Sequence, residues 1–256
     1  MKQEICTVTD RQNYGSGLFA LTIHAPQIAA EAKCGQFVHI TCGEGNLLRR
    51  PISICDVEGE MLKIVFQVKG EGTEWLSKRS PKHKLDVLGS LGHGFNTDAL
   101  GERPVMIGGG IGVPPMLYTM KNAKANGATP SAILGFRNKD AVILTKDFEK
   151  VGTTHICTDD GSFGTHGFVT AELEKHISEY TGVCACGPKP MLKAIAEIAE
   201  KAGIPCQVSM EERMGCGIGA CLVCACELKL RDGEQGVRYG HVCKDGPVFD
   251  AKEVVW

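Results

Sequence analysis

The chain has 256 residues, 43% hydrophobic and 23% charged, which gives room for two ordinary domains and argues against disorder or a fibrous repeat. Lys and Arg number 28 against 30 Asp and Glu, a net charge of −2, so no basic field is present to attract nucleic acid or anionic lipid. The first ten residues, MKQEICTVTD, lack a basic-then-apolar signal, and no apolar run reaches the ~18 residues of a membrane span, so a cytoplasmic protein is expected.

Residues 1–100 alternate short apolar runs with turn residues at 13–15, 42–45 and 58–60, which predicts a small antiparallel barrel. The clearest strand is Met61–Lys69, where Leu62, Ile64, Phe66 and Val68 alternate with mostly polar neighbours. Another barrel strand carries Arg50-Pro51-Ile52-Ser53, and Gly72-Thr73 follows the clear strand at the start of a helix. A cation, a fixed proline and a hydroxyl on one strand can hold a flavin ring and its diphosphate, and a Gly-Thr pair can offer N–H groups to phosphate. Taken alone, any barrel edge can carry the same residues without a ligand.

Residues 101–205 change texture to strands alternating with helices, which predicts a parallel sheet with its ligand crevice beyond the carboxyl ends of the strands. The apolar Val105-Met106-Ile107 enters Gly108-Gly109-Gly110-Ile111-Gly112, and a helix is expected from Pro114 or Pro115 to about Ala125, with Asn126-Gly127 as its stop. Gly109, Gly110 and Gly112 offer a dinucleotide pyrophosphate close backbone approach at a helix start, although Val113 occupies the last glycine position of the G-x-G-x-x-G fingerprint. Asp160, in the loop Asp159–Gly164, can accept hydrogen bonds from ribose hydroxyls. Cys186-Gly187-Pro188 repeats the strand-to-helix device. Each of these is also an ordinary turn, and Arg137 suits either a 2′-phosphate or bare solvent, which leaves NAD against NADP open.

Residues 206–256 carry the chemistry most plainly. Of 13 cysteines, five fall between Cys216 and Cys243, and an odd total in a cytosolic setting points to metal or redox use rather than disulfides. Cys216, Cys221 and Cys224, with a distant Cys243, give the Cys-x4-Cys-x2-Cys spacing of a plant-type [2Fe–2S] cluster. Gly215, Gly217 and Gly219 allow the loop to curl so that backbone N–H groups meet the sulfurs. A four-cysteine zinc site is the alternative, but structural zinc favours paired CxxC knuckles. Cys226 breaks the spacing and is expected to be a buried non-ligand. Too short for a core of its own, this segment is expected to be stapled by its metal.

The eight histidines show no close metal-ligand spacing and are expected at the surface or in the core. No catalytic triad or carboxylate pair stands out, so no catalytic side chain is assigned and the chemistry is left to cofactors. Glu211 and Glu212, just before the cluster loop, are expected to be a solvated charge pair.

In this order, Arg50–Ser53, Gly72-Thr73, Gly108–Met116, Cys186–Pro188 and the cysteine segment resemble the ferredoxin-reductase-like flavoproteins over nearly the whole chain. The ending, residues 211–221 with 242–249, narrows the resemblance to the electron-transfer subunits of the two-subunit, NAD-linked (class 1B) dihydroorotate dehydrogenases of pyrimidine biosynthesis. The resemblance implies an FAD-binding barrel over 1–100, an NAD-binding α/β domain over 101–205 and a small [2Fe–2S] domain over 206–256. It implies FAD contacts at Arg50, Pro51, Ile52, Ser53, Val65, Phe66, Gln67, Gly72 and Thr73, cluster ligands at Cys216, Cys221, Cys224 and Cys243, and Cys186 near the nicotinamide. It also implies an FMN-containing catalytic subunit as partner, two of each in a heterotetramer, with electrons running from dihydroorotate through FMN, the cluster and FAD to NAD+. A related NAD(P)H-linked flavoprotein serving ferredoxin, sulfide or hydrogenase is the rival reading, and a non-catalytic zinc-binding or cluster-sensing module is a third.

Overall fold

Leu62, Ile64 and Phe66 are buried along Met61–Gln67 while Met61 and Lys63 are only partly covered, the alternation of a strand with one face on a core. Val65 is buried as well, on the other face, where it joins a core containing Val113, Met116 and Met120 of the second domain. One strand therefore faces two cores. The computed structural model describes residues 1–230 and 236–256 of the chain.

Six strands close the barrel: β1 (Lys2–Gly15), β2 (Leu18–His24), β3 (Phe37–Ile40), β4 (Arg50–Glu58), β5 (Met61–Gln67) and β6 (Lys84–Leu91). They pair antiparallel in the order β1-β2-β5-β4-β3-β6, with α1 (Pro26–Glu31) and α2 (Glu71–Ser77) between them. Closure removes sheet edges that would otherwise pair with other chains. The barrel interior is filled by Leu21, Ile23, Val38, Ile40, Ile54, Leu62 and Ile64, each with no exposure. Burying such a side chain contributes about 1.5–3 kcal/mol.

The second domain starts at β7 (Pro104–Gly109) and continues through α3 (Val113–Ala125), β8 (Ser131–Phe136), α4 (Thr145–Glu149), β9 (Thr154–Thr158), β10 (Thr165–His166), α5 (Val169–His176), β11 (Gly182–Cys186) and α6 (Lys189–Ala202). Prolines 114 and 115 lie in the first turn of α3, where a missing N–H is harmless, and Gly203 ends α6 in the left-handed conformation. Helix α3 packs on β7 and also on β4 of the barrel. Across that seam Lys121 of α3 bonds the carboxylates of Asp56, which is buried, and of Glu58 at 3.0 Å.

The sheet order is β10-β9-β8-β7-β11-β12-β15, with β12 (Cys206–Ser209) parallel to β11 and β15 (Val248–Asp250) antiparallel to β12. The cysteine-rich segment lies between β12 and β15 and includes the hairpin β13 (Ala225–Lys229) and β14 (Val237–His241). Both ends of that segment are strands of the nucleotide sheet. Cys224, Cys226, Leu228, Val242 and Cys243 share one core with Val183, Val208 and Ile195. Hydrophobic pattern identifies β12 as a strand, but pairing partners 40 residues downstream leave no local trace in the sequence.

Candidate functional site

The loop before β13 is organised by backbone N–H groups turned on to sulfur. Cys216 Sγ accepts from Ala220 N–H at 3.2 Å and from Ile218 and Cys221 N–H at 3.4 Å. Cys221 Sγ accepts from Cys216 N–H at 3.4 Å, Cys243 Sγ from Gly219 N–H at 3.1 Å, and Cys224 Sγ from Cys243 N–H at 3.4 Å. Every one of the four sulfurs thus has a donor, which favours thiolate, although burial still pushes the Cys243 thiol up to about 12. Desolvation pushes the Cys216 thiol up, but the N–H groups of Ile218, Cys221 and Ala220 outweigh it and hold the thiol down to about 6. Four sulfurs gathered by donors, one of them already poised as an anion, fit a [2Fe–2S] centre. Cys226 sits on β13 beside Leu228 in the shared core, and burial pushes its thiol up to about 11.

A buried histidine stands against this loop. Gly217 has φ +74°, and a Cβ there would lie 2.6 Å from Nδ1 of His39. His39, on β3, has no exposure, and neither of its ring nitrogens has a well-formed hydrogen-bond partner among the described residues, although the Cys216 backbone lies against the ring. An orphan of that kind costs about 1–3 kcal/mol unless another group meets it. Burial and the neighbouring charge of Arg49 push the imidazole down to about 4, so it is neutral near pH 7.

A cavity of about 230 Å³ opens where the three parts of the chain meet. Its walls are Pro51, Ile52 and Ser53 of β4, Val65, Phe66 and Gln67 of β5, Thr73 of α2, Cys186 at the end of β11, and Glu211, Glu212 and Met214 leading into the cluster loop. The guanidinium of Arg50 lies directly over Gly72, and its Nη2 donates to Asn46 Oδ1 at 2.7 Å. Residues 22 apart in sequence are thereby set side by side. Thr73 Oγ1 accepts from the N–H groups of Lys69 at 2.9 Å and Gly70 at 3.2 Å, so its hydroxyl closes the start of α2. Burial pushes the Cys186 thiol up to about 12 and keeps it protonated.

A second cavity, of about 580 Å³, lies at the carboxyl ends of the parallel strands and is lined by Gly109, Gly110, Arg137, Asp159, Phe168, Thr170, Pro188 and Met191 among others. Gly112 and Gly187 do not line it. A Cβ on Gly112 would run into the Cys186 carbonyl oxygen, so this glycine allows the turn after β7 to rest on the turn after β11. Asp160 does not line it either: its Oδ1 accepts from the Ser162 N–H at 3.0 Å and hydroxyl at 2.6 Å, and Asp159 is the acidic residue of that loop that lines the cavity. Cys186 faces the smaller cavity, because the last side chain of β11 projects to the barrel side.

Sequence reasoning missed His39, Lys69, Ser209 and Pro247, although the last three line the smaller cavity. His39, Lys69 and Ser209 belong to no motif and Pro247 has no role of its own in the ending 242–249; only the fold brings them there. It also missed the convergence of His155, Glu172 and His176, whose ligand atoms lie within 4.8 Å of one another. Glu172 and His176 are four apart on α5, and a one-turn spacing was the available signal.

Residues 211–255 match the family model of the iron-sulfur cluster binding domain of dihydroorotate dehydrogenase B, and residues 106–197 match the oxidoreductase NAD-binding domain. A curated relative from Geobacillus thermodenitrificans, named dihydroorotate dehydrogenase B (NAD(+)), electron transfer subunit, is 42% identical over 99% of this chain and 98% of its own. The protein of the same name from Caldanaerobacter subterraneus is 45% identical over 87% of each chain. Among solved structures, one of an NADH-dependent reduced ferredoxin-NADP oxidoreductase, studied for flavin-based electron bifurcation, superposes with a TM-score of 0.87 at 28% identity. That likeness covers 99% of this chain and 90% of the other.

Proposed function

Because the chain belongs to the family of dihydroorotate dehydrogenase B (NAD(+)) electron-transfer subunits, we propose that it passes electrons from an FMN-containing, dihydroorotate-oxidising subunit through a [2Fe–2S] cluster and FAD to NAD+. The observation that carries this path is the cavity of about 230 Å³ on which the barrel, the nucleotide sheet and the lead into the cluster loop all open. When bound there, FAD supplies the conversion between hydride transfer, which moves two electrons together, and a cluster that takes one at a time.

The chain's own residues position these groups. Pro51–Ser53 and Val65–Gln67 form the barrel wall against the flavin, and Arg50 over Gly72 presents a cation to its diphosphate. The protonated thiol of Cys186 closes the nucleotide side without adding charge. In the larger cavity Gly110 gives backbone access for the pyrophosphate, Asp159 accepts from ribose hydroxyls, and the ring of Phe168, 69% exposed, is free to stack. Cys216, Cys221, Cys224 and Cys243 hold the cluster, and the N–H donors around them stabilise its negative charge.

The partner would meet the cluster loop, where Ile218, Leu222 and Val223 are 46%, 61% and 56% exposed on one apolar stretch. Two copies of each subunit form the complex in this proposal. No helix among the described residues is long and apolar enough to cross a membrane. The proposal includes a cytoplasmic location, supported by thirteen cysteines without a disulfide.

Reconstitution tests the reading. The chain mixed with the FMN subunit should reduce NAD+ on addition of dihydroorotate, and neither component alone should do so. If the mixture fails while the chain alone passes electrons from NADH to ferredoxin, the rival reading, to which the 28% identical structure lends weight, replaces it.

A further inference from the structure

At the amino end of β9, well away from the cysteine loop, His155 meets two residues of α5. His155 Nδ1 lies 3.1 Å from Glu172 Oε1, and His176 Nε2 lies 3.5 Å from the same oxygen. The two imidazoles are 4.9 Å apart between ring centres. Glu172 is 5% exposed, so this carboxylate is held inside the protein, while both histidines reach partly to solvent.

His176 faces a carboxylate from each of its ring nitrogens. His176 Nδ1 lies 2.7 Å from Glu179 Oε1, and a neutral ring that donates there turns the lone pair of Nε2 towards Glu172. A lone pair facing a carboxylate oxygen is repulsive unless a proton or a metal cation stands between them. Lys175 does not fill that place, since its Nζ is bonded to the other oxygen, Oε2, at 3.1 Å.

We propose that His155, Glu172 and His176 form a binding site for a zinc-like first-row divalent cation, with an open fourth position for water. Tetrahedral zinc with bonds near 2.0–2.1 Å has ligand–ligand edges of about 3.3 Å. The separations of 3.1 and 3.5 Å lie on either side of that edge and all the ligand atoms fall within 4.8 Å of one another, so drawing the two imidazole nitrogens on to one ion takes a shift of at most about 1.5 Å. Two imidazoles and one carboxylate select zinc and its neighbours over magnesium or calcium. Glu179 supplies the outer carboxylate that fixes a ligating histidine's tautomer.

The site has a mechanical role. Bound metal would tie β9 to the last turn of α5, whose first residues, Val169 and Thr170, line the larger cavity. At ~1.5 Å per residue Glu172 stands about 3–5 Å and His176 about 9–10 Å along the helix from Thr170 and Val169, so the ion would brace the cavity wall from behind.

Zinc titration of the cluster- and flavin-loaded chain by calorimetry, with metal analysis after desalting, tests this. We expect one zinc per chain in addition to the cluster iron, unchanged cluster absorbance, and a higher thermal midpoint with zinc. His155→Ala and His176→Ala should each weaken binding at least tenfold and abolish the zinc-dependent rise in midpoint. Glu179→Gln should weaken it about 10–100-fold. The proposal is overturned if the native chain takes up no stoichiometric zinc, if both histidine variants bind as the native chain does, or if uptake accompanies loss of iron. The last two outcomes would place the metal on the cysteines. None of these readouts depends on electron transfer to NAD+, so failure here leaves the proposed function standing.

Discussion

The ring of His39 and the backbone of Gly217 are in contact across the seam between barrel and cluster loop, close enough that a single added methyl at Gly217 would lie 2.6 Å from Nδ1. His39 is also the register partner of Pro51, which lines the smaller cavity. One buried imidazole therefore spans from the wall of the proposed flavin site to the loop that gathers the cysteines. Gly217→Ala should disturb both the φ of +74° and this contact. The backbone term alone is worth ~1–2 kcal/mol, so the rate of iron loss to a chelator should rise about tenfold or more while flavin content stays near native. Equal loss of both cofactors would mean the effect is on the barrel instead.

The spacing of the cysteine loop separates ligand from bystander. Cys224→Ser should abolish the visible and electron paramagnetic signals of the cluster, whereas Cys226→Ser, on the core side of β13, should keep them with a modest loss of stability. A cluster that survives the first change and not the second would reverse the assignment.

Plant-type clusters have potentials near about −400 mV, and N–H groups directed at sulfur stabilise the more negative reduced state. With N–H donors on all four sulfurs, the midpoint should lie above that value. Redox titration followed by electron paramagnetic resonance measures it, and a midpoint well below −400 mV, the approximate plant-type figure, contradicts the argument.

Lys121 joins α3 to the barrel through Asp56 and Glu58. Its removal as Lys121→Met leaves the buried Asp56 carboxylate without its cation and should destabilise the chain by roughly 1–3 kcal/mol, less than a fully buried pair because the lysine is partly exposed. Double-mutant comparison with Asp56→Asn should recover part of the loss. Recovery of none would show that the two side chains are not coupled.

Asp86 of β6 accepts from Arg49 Nη2 at 2.8 Å and from Gln3 Nε2 at 3.0 Å. Desolvation pushes its carboxyl up, but Arg49, Gln3 and Thr41 outweigh this and hold it below the ordinary value of 3.8. A depressed acid contributes stability that is fully present above its unfolded pKa and is lost as pH falls through the folded one. Thermal midpoints of the native chain and Asp86→Asn should therefore differ at pH 7 and converge below pH 3.8. The difference between the two cancels any cofactor loss they share. A gap that widens on acidification would mean the carboxylate is not stabilised by its partners.

Much of this architecture was legible because its signals are local. Leu62, Ile64 and Phe66 announce a strand by period, Pro114 and Gly203 mark helix ends, and the Cys216–Cys224 spacing announces a cluster loop within nine residues. What escaped depends on residues that meet only after folding. Gly112 looks like a phosphate contact in sequence, while the fold also uses its missing Cβ to rest the turn after β7 on the Cys186 carbonyl, and which of Asp159 and Asp160 lines a cavity goes with a turn that Ser162 closes. His39 carries no motif, since its importance comes from Gly217, far along the chain. The cavity wall built by Ser209 and Pro247 likewise requires strands that become neighbours only in the sheet.

Ser209 and Val248 are direct partners in the antiparallel pair of β12 and β15. The whole cysteine-bearing excursion therefore leaves the sheet and returns to it at a single point. Replacing residues 210–247 by a short hairpin turn would keep that pairing but would strip Cys224, Cys226, Leu228 and Val242 from the core they share with Val183, Val208 and Ile195. The cysteine-bearing segment is thus a single insertion between two neighbouring strands, fitted to its host by an apolar face as well as by its two ends.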